Sequence, residues 1–305
     1  MKIHSYNEWD RLREVVVGRA DHANWPSTDP IFAQESSRSD WKETPVPSGP
    51  VPQTIIDEAN EDLEQLCDVL RSHDVTVHRP QILDWQARSG FSTYSVRDRL
   101  LIAGNAIVDP AMMYPCRDQE IEALQEVVEN TRLIRMPRGK ELIMDAANVC
   151  RLGDNWLYLE SRSGSRAAGE WLAEKFPAID IHGCNFYSGV HIDSTLVPLR
   201  DGLIMINAER VKPNQLPRCL ETWEKIWIED VAVQDFYQYP WASKWIGMNC
   251  LSIDSETVIM DAAQTKLINR VEQYGITVIP MILRHARTLG GGFHCVTLDT
   301  WRENR

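Results

Sequence analysis

Leu100-Leu-Ile-Ala-Gly-Asn-Ala-Ile-Val-Asp109 decides the fold. Two short runs, Leu100 to Ala103 and Ala106 to Asp109, flank a turn at Gly104-Asn105, the chemistry of a tight β-hairpin. Outward from it, a helix is expected through Asp118 to Glu129 and a third strand over Arg132 to Met136, stopped by Pro137. The same plan of two strands, a helix and a strand recurs. A second copy has Val149 to Leu152, a turn at Gly153-Asp154, Trp156 to Glu160, a helix from about Arg166 to Lys175, and Ile179 to His182. A third has Thr195 to Leu199, a turn at Asp201-Gly202, Leu203 to Ile206, a helix near Pro217 to Trp227, and Val231 to Val233. A fourth has Asn249 to Ile253, a turn at Asp254-Ser255, Val258 to Asp261, a helix from Ala262 to Tyr274, and Thr277 to Pro280.

An incomplete copy at the N-terminus has a strand at Glu14 to Gly18, a helix at Gln53 to Ser72 and a strand at Val75 to His78. It lacks a first strand, and the unassigned candidate is Cys295 to Leu298. The simplest topology therefore closes a ring in which the chain ends pair, which also hides the sheet edges. The expected fold class is α/β, a single domain over residues 1–305 built from repeated ββαβ units. The competing arrangement is an open α+β sheet of ordinary hairpins and helices. Ala20 to Pro52, rich in Ser and Pro, reads as a long surface loop.

Composition bounds the function. A formal charge of −12 disfavours nucleic acid and anionic membrane as partners, whereas a small cation suits it. No apolar run approaches membrane length and no targeting segment is visible, so the cytoplasm is the expected location. Seven cysteines, scattered singly with no CxxC, argue against a disulfide framework and a zinc site.

Aligning the copies by their first strands makes the preceding residues equivalent. They are Asp98, Asp145, the pair His191 and Asp193, Ser243, and Cys295, and a ring would bring them to one end of its axis. Before Cys295 stands Gly290-Gly-Gly292, which permits close backbone approach and positive φ. A cysteine attacks as thiolate and needs a neighbouring base or positive charge; His191 can supply either and later protonate a leaving amine. Asp145 would orient the imidazole. Asp98 and Asp193 are then left for the substrate, and paired carboxylates match a planar guanidinium. Arg210 could hold that ligand's α-carboxylate. Singly, each has a bland reading: Cys295 as a buried small hydrophobe, Asp145 and Asp193 as turn or cap residues, His191 as a bonded core histidine, Ser243 as a helix cap, Arg210 as a surface charge. Jointly those readings lose, because coincidental caps need not fall at equivalent repeat positions. His191-Ile-Asp193 could supply two metal ligands, but no second histidine stands in a ligand pattern.

At these residues the chain resembles the amidinotransferase family, which includes glycine and inosamine-phosphate amidinotransferases. The matching stretches are Ser5-Tyr-Asn-Glu-Trp-Asp10, Glu14-Val-Val-Val-Gly-Arg19, Asp145-Ala-Ala-Asn148, His191-Ile-Asp-Ser194, Ser243-Lys-Trp245 with Met248-Asn249, and Leu289-Gly-Gly-Gly-Phe-His-Cys295. They cover nearly the whole chain in family order, and the longer runs look nearest to the bacterial aminocyclitol branch. The resemblance implies a fivefold pseudosymmetric α/β propeller of ββαβ modules. It implies Cys295 as nucleophile, His191 as general acid and base, and Asp145 as its partner. Asp98, Asp193, Arg210, Ser243 and Asn148 would bind substrate, with no cofactor and no metal. The substrates would be L-arginine, which releases ornithine, and a primary amine acceptor; since family members often dimerise, a homodimer is allowed. Two departures bear on the acceptor. Between Pro110 and Asp145 the family usually carries a basic Arg-Ser-Arg segment and a longer loop, where this chain has Met113-Tyr-Pro-Cys-Arg-Asp118, and it ends at Arg305, short of the family's usual tail. Two alternatives stand beside transfer: a hydrolase of the arginine deiminase or dihydrolase type using the same triad, and a noncatalytic arginine-binding protein.

Overall fold

A computed structural model describes residues 1–38, 47–139, 141–233 and 241–303. Among them are five three-stranded sheets of one plan, in which the first strand pairs antiparallel with the middle one and the middle one parallel with the third. Four run in chain order: Leu101–Ala103, Ala106–Asp109 and Arg132–Arg135; Val149–Leu152, Asn155–Leu159 and Asp180–Cys184; Leu196–Arg200, Leu203–Asn207 and Glu224–Ile228; Leu251–Ser252, Thr257–Asp261 and Thr277–Met281. The remaining sheet joins the chain ends. Arg11–Val17 lies between Thr297–Glu303, antiparallel with Val16 opposite Leu298, and Thr76–His78, parallel. The C-terminal strand thus supplies what the N-terminal copy lacks, but it begins at Thr297, so Cys295 lies in the turn before it.

The helices match expectation where an apolar stripe is unbroken. Gln53–Ser72 buries Ile55, Ile56, Ala59, Leu63, Leu66 and Leu70, a three-and-four spacing whose fully buried leucines each contribute about 2 kcal/mol. Arg166–Lys175 starts where the Ser165 hydroxyl accepts from the Ala168 amide. Two expectations are corrected. No α-helix spans Pro217 to Trp227: the segment holds 3₁₀ turns at Pro213–Gln215 and Arg218–Leu220, separated at Pro217, and the third strand comes earlier, at Glu224–Ile228, taking the residues a longer helix would need. Between Asp118 and Glu129 the chain is mostly 3₁₀, over Pro115–Leu124, with a short α-helix at Gln125–Val128. A 3₁₀ turn eclipses positions three apart, which lets Arg117 and Glu120 pair while both are buried.

Ala20 to Pro52 is more than a surface loop. Trp25, Phe32 and Val51 are buried in the core that also takes Leu63 and Leu66, while residues 39–46, including Pro45, lie outside the described residues. No helix among the described residues is long and apolar enough to cross a membrane.

Glu8, Arg97, Arg151, Asp299 and Arg302 form a buried ionic network at the junction of the chain ends. Arg151 bonds both oxygens of Glu8 (2.9 and 2.8 Å) and Asp299 (2.9 Å), and Arg302 Nε reaches Asp299 at 2.6 Å. Such charges stand to lose several kcal/mol of solvation each, so bonding at most of their polar atoms is what makes the arrangement tenable.

Candidate active site

The polar residues that precede each first strand do so in the structure. Asp98 closes a 3₁₀ turn before Leu101, Asp145 stands at the head of the turn before Val149, and His191 and Asp193 stand before Leu196. Ser243 stands at the head of the turn before Leu251, and Cys295 precedes Thr297. Asp98, His191, Asp193, Arg210, Ser243 and Cys295 line one cavity of about 230 Å³.

The glycine run explains how the thiol gets there. Gly290 ends a short helix at φ +78°, and a Cβ there would lie 2.8 Å from the Trp241 ring. The next two have ordinary φ but no room: a Cβ on Gly291 would come within 2.4 Å of Ser95 Oγ, and one on Gly292 within 2.7 Å of Asn249 Cβ. Close approach to Asn249 fixes the turn, for its Oδ1 accepts the amides of both His294 (2.9 Å) and Cys295 (3.1 Å).

Cys295 Sγ then donates to Asp193 Oδ2 at 3.2 Å. The sequence expectation set a base or a positive charge, from His191, beside the sulfur; its hydrogen-bonded neighbour is instead a carboxylate. Burial, then Asp193 and Asp98, push the thiol well above its usual value, so it rests protonated. Asp193 itself is brought down to about 2: burial acts upward, but the bond from His294 Nδ1 (2.9 Å) and the charges of His294 and His191 outweigh it.

His191 sits at φ +56° with Nε2 3.0 Å from Asp145 Oδ2 and Nδ1 3.6 Å from Asp98 Oδ1. Burial would lower its pKa, yet Asp98 and Asp145 raise it to about 9, so it rests as the imidazolium. The other Asp145 oxygen accepts the Met113 amide at 2.9 Å. Asp98 is raised by burial despite His191 and Arg117. Its Oδ2 accepts from Arg117 Nη1 at 2.7 Å, whereas its buried Oδ1 has no hydrogen-bond partner among the described residues. With the His191 ring nitrogen 3.6 Å away and no hydrogen bond made, that oxygen is left able to accept a donor.

Arg210 carries the opposite charge without a carboxylate. Its Nη1 bonds Ser194 Oγ (3.1 Å) and Thr195 Oγ1 (2.8 Å), its Nη2 bonds Ser243 Oγ (3.0 Å), and Tyr187 stacks on the guanidinium at 3.9 Å. Among the described residues no carboxylate oxygen comes within 4 Å of it. Two expected site residues do not line the cavity: Asp145, which bonds His191 from behind it, and Asn148. Asn148 is fully buried, with Nδ2 bonded to Leu159 O and Ser161 Oγ and Oδ1 to Ser163 Oγ, so it braces the turn behind Asp145.

Arg117, Phe91, Tyr114, Tyr187 and Trp241 also line the cavity and were not singled out from the sequence. Three of the aromatics are neighbours: Phe91 to Trp241 5.1 Å and Tyr114 to Trp241 6.4 Å between ring centres. They fall within repeats at unmatched positions, so alignment of the copies carries no signal for them.

No protein-family model matches the chain. Inosamine-phosphate amidinotransferase 1 of Streptomyces glaucescens is 34% identical over 334 residues, covering 97% of this chain and 96% of that one. The chain belongs to the amidinotransferase family. Mitochondrial glycine amidinotransferase of Xenopus tropicalis is 28% identical over 348 residues, 98% of this amidinotransferase and 82% of its relative. Among solved structures, inosamine-phosphate amidinotransferase from Streptomyces griseus superposes with a TM-score of 0.88 at 32% identity, over 99% of this chain and 97% of that one. Membership removes the ground for the noncatalytic reading and sets transfer before hydrolysis.

Proposed function

We propose that this amidinotransferase moves the amidino group of L-arginine to a primary amine through an amidino-cysteine at Cys295, releasing ornithine. The observation that carries the reading is the company Cys295 keeps in one cavity. It shares that space with the His191 imidazole and two carboxylates, one of which has a buried oxygen that makes no hydrogen bond. Asp98 and Asp193 grip the guanidinium, and Arg210, held by Ser243, takes the α-carboxylate. The five sheets, one of them joining the chain ends, support a single-domain, fivefold α/β propeller with this site at one end of its axis.

The steps balance with these residues alone. Guanidinium between the two acids offsets the negative field that keeps the thiol protonated, and the thiol proton leaves to solvent. The thiolate forms a C–S bond to the guanidinium carbon. His191 delivers its proton to the ornithine nitrogen as the C–N bond breaks. The acceptor amine then attacks the amidino carbon, returns a proton to His191, and the C–S bond breaks to restore the thiolate.

Incubation with arginine alone, followed by mass spectrometry, is expected to show an amidino adduct on Cys295, absent in Cys295→Ser. Ornithine should be released catalytically only when an amine is added. Citrulline and ammonia in its place, or an adduct mapped to another cysteine, would sink the reading. Aminocyclitols, their phosphates and glycine are the amines to screen, because relatives are named for inosamine phosphate and glycine.

A further inference from the structure

Against Asp193 stands a second imidazole that the scheme above does not use. His294 immediately precedes the nucleophile and is buried, with only 9% of its surface exposed. Its Nδ1 lies 2.9 Å from Asp193 Oδ2 and its Nε2 3.3 Å from Glu8 Oε2, on opposite sides of the ring. A carboxylate only accepts, so two carboxylates can both be satisfied only if both ring nitrogens carry hydrogen. Glu8 is kept ionised in turn by Arg151, which donates to both of its oxygens. The atom of Asp193 that meets His294 is the one that accepts from the Cys295 thiol.

We infer that His294 is a positioning residue, a fixed imidazolium that holds Asp193 ionised and turned toward the cavity, with Glu8 and Arg151 anchoring it from behind. It touches no reacting atom. It acts through Asp193, and so rests on the reading of Asp193 as a grip for the guanidinium. The charged groups facing it are Asp193 from the stretch before Leu196, Glu8 from the N-terminal segment and Arg97 from the turn before Leu101. Arg97 opposes protonation while the two carboxylates favour it, and the balance raises the His294 pKa even against burial. Without the imidazolium, a buried Asp193 beside Asp98 would take up a proton in mildly acidic solution and release its hold on a cation.

Two substitutions separate this role from simple packing. His294→Asn sets an amide N–H where Nδ1 was and keeps that donor on Asp193; His294→Gln reaches toward Glu8 and leaves Asp193 Oδ2 with the Cys295 thiol alone. For His294→Gln the KM for arginine should rise about 10- to 100-fold, the scale of a lost charge-assisted hydrogen bond, and should steepen as pH falls from 8 to 5. The parent KM should stay level over that range, and His294→Asn should recover part of the loss. The parent labelled with ¹⁵N-histidine provides a measurement independent of folding: His294, assigned by difference, should show two protonated ring nitrogens at pH 7. A neutral His294 there, or a folded His294→Gln enzyme with parental KM at every pH, overturns the inference. If the parent itself formed no ornithine from arginine, the functional reading would have failed first, and the nitrogen signals would still decide the state of His294.

Discussion

Changing Asp145 to Asn tests how the acid group of the site is kept charged. His191 is raised from an ordinary 6.5 to about 9, a difference worth about 3 kcal/mol, and its side chain is only 16% exposed, so solvent screens little of this. In the variant the amide has one oxygen and one NH₂ to distribute. The buried Met113 amide, 2.9 Å from Oδ1, claims the oxygen, and the NH₂ then faces His191 Nε2. Two donors would oppose each other unless Nε2 gives up its hydrogen. His191 should therefore be neutral at pH 8, with its remaining hydrogen on Nδ1 toward Asp98.

The consequence for rate has a definite shape. At neutral pH the free enzyme carries a thiol and an imidazolium, whereas the attacking state carries a thiolate and an imidazolium, so one proton must leave. The parent kcat/KM, which reports the free enzyme, should climb about tenfold per pH unit until His191 deprotonates near 9. With the Asp145 bond and charge gone, Asp98 and Asp193 alone oppose burial, so the His191 pKa falls and the climb should stop well short of the parent's. The variant's deficit from protonation alone is then small below that point and grows about tenfold per pH unit above it, up to the parent's own limit. Ornithine release measured from pH 6 to 9 at saturating acceptor reads this directly. A variant that is slower by one constant factor, with a profile climbing in parallel to the parent through pH 8.5, would refute the account of His191.

Replacing Arg210 with Met should raise the KM for arginine about 10- to 100-fold while leaving agmatine, which lacks the carboxylate, nearly as poor a donor as before; undiminished preference for arginine would show that Arg210 does not read that group. Asp299→Asn should cost about 3 to 5 kcal/mol in urea unfolding, since it leaves Arg97, Arg151 and Arg302 buried around a single remaining carboxylate, Glu8; a loss below 1 kcal/mol would mean that water already relieves the network.

Much of the chain was legible because its signals are local and repeated. The hairpin turns at Gly104-Asn105, Gly153-Asp154 and Asp201-Gly202 fall between the expected strands, and the glycines take positive φ as such turns require. Gln53–Ser72 and Arg166–Lys175 have the expected ends because an unbroken apolar stripe specifies them. The third module misled because Lys225-Ile-Trp-Ile228, an alternating strand, directly follows a proline-bounded segment of helix-like composition. In the site, repeat equivalence located Asp98, Asp145, His191, Asp193, Ser243 and Cys295. It could not locate Arg117, whose place depends on a 3₁₀ turn, nor the aromatic wall, which draws on unmatched positions. Asn148 belongs to a matching stretch, but that stretch combines a residue at the imidazole with one that braces the backbone behind it, and sequence does not separate the two.

The signs of charge around the sulfur tie these parts together. A thiol meant to be reactive at rest would have a cation against it, as depressed cysteine pKa values require. Here its hydrogen-bonded neighbour is Asp193, and a cation bonds each acid: His294 holds Asp193 from outside the cavity, and Arg117, in the cavity wall, holds Asp98. Each satisfies one oxygen of its acid and favours its charged form. The charges acting on the resting thiol are therefore those of Asp193 and Asp98, and a planar cation entering between them supplies the charge that lets the thiolate form. Selectivity for a guanidinium and activation of the nucleophile then follow from the same two carboxylates. This is why loss of either acid should lower both donor binding and the rate of amidino-cysteine formation, whereas loss of Arg210 should lower binding alone.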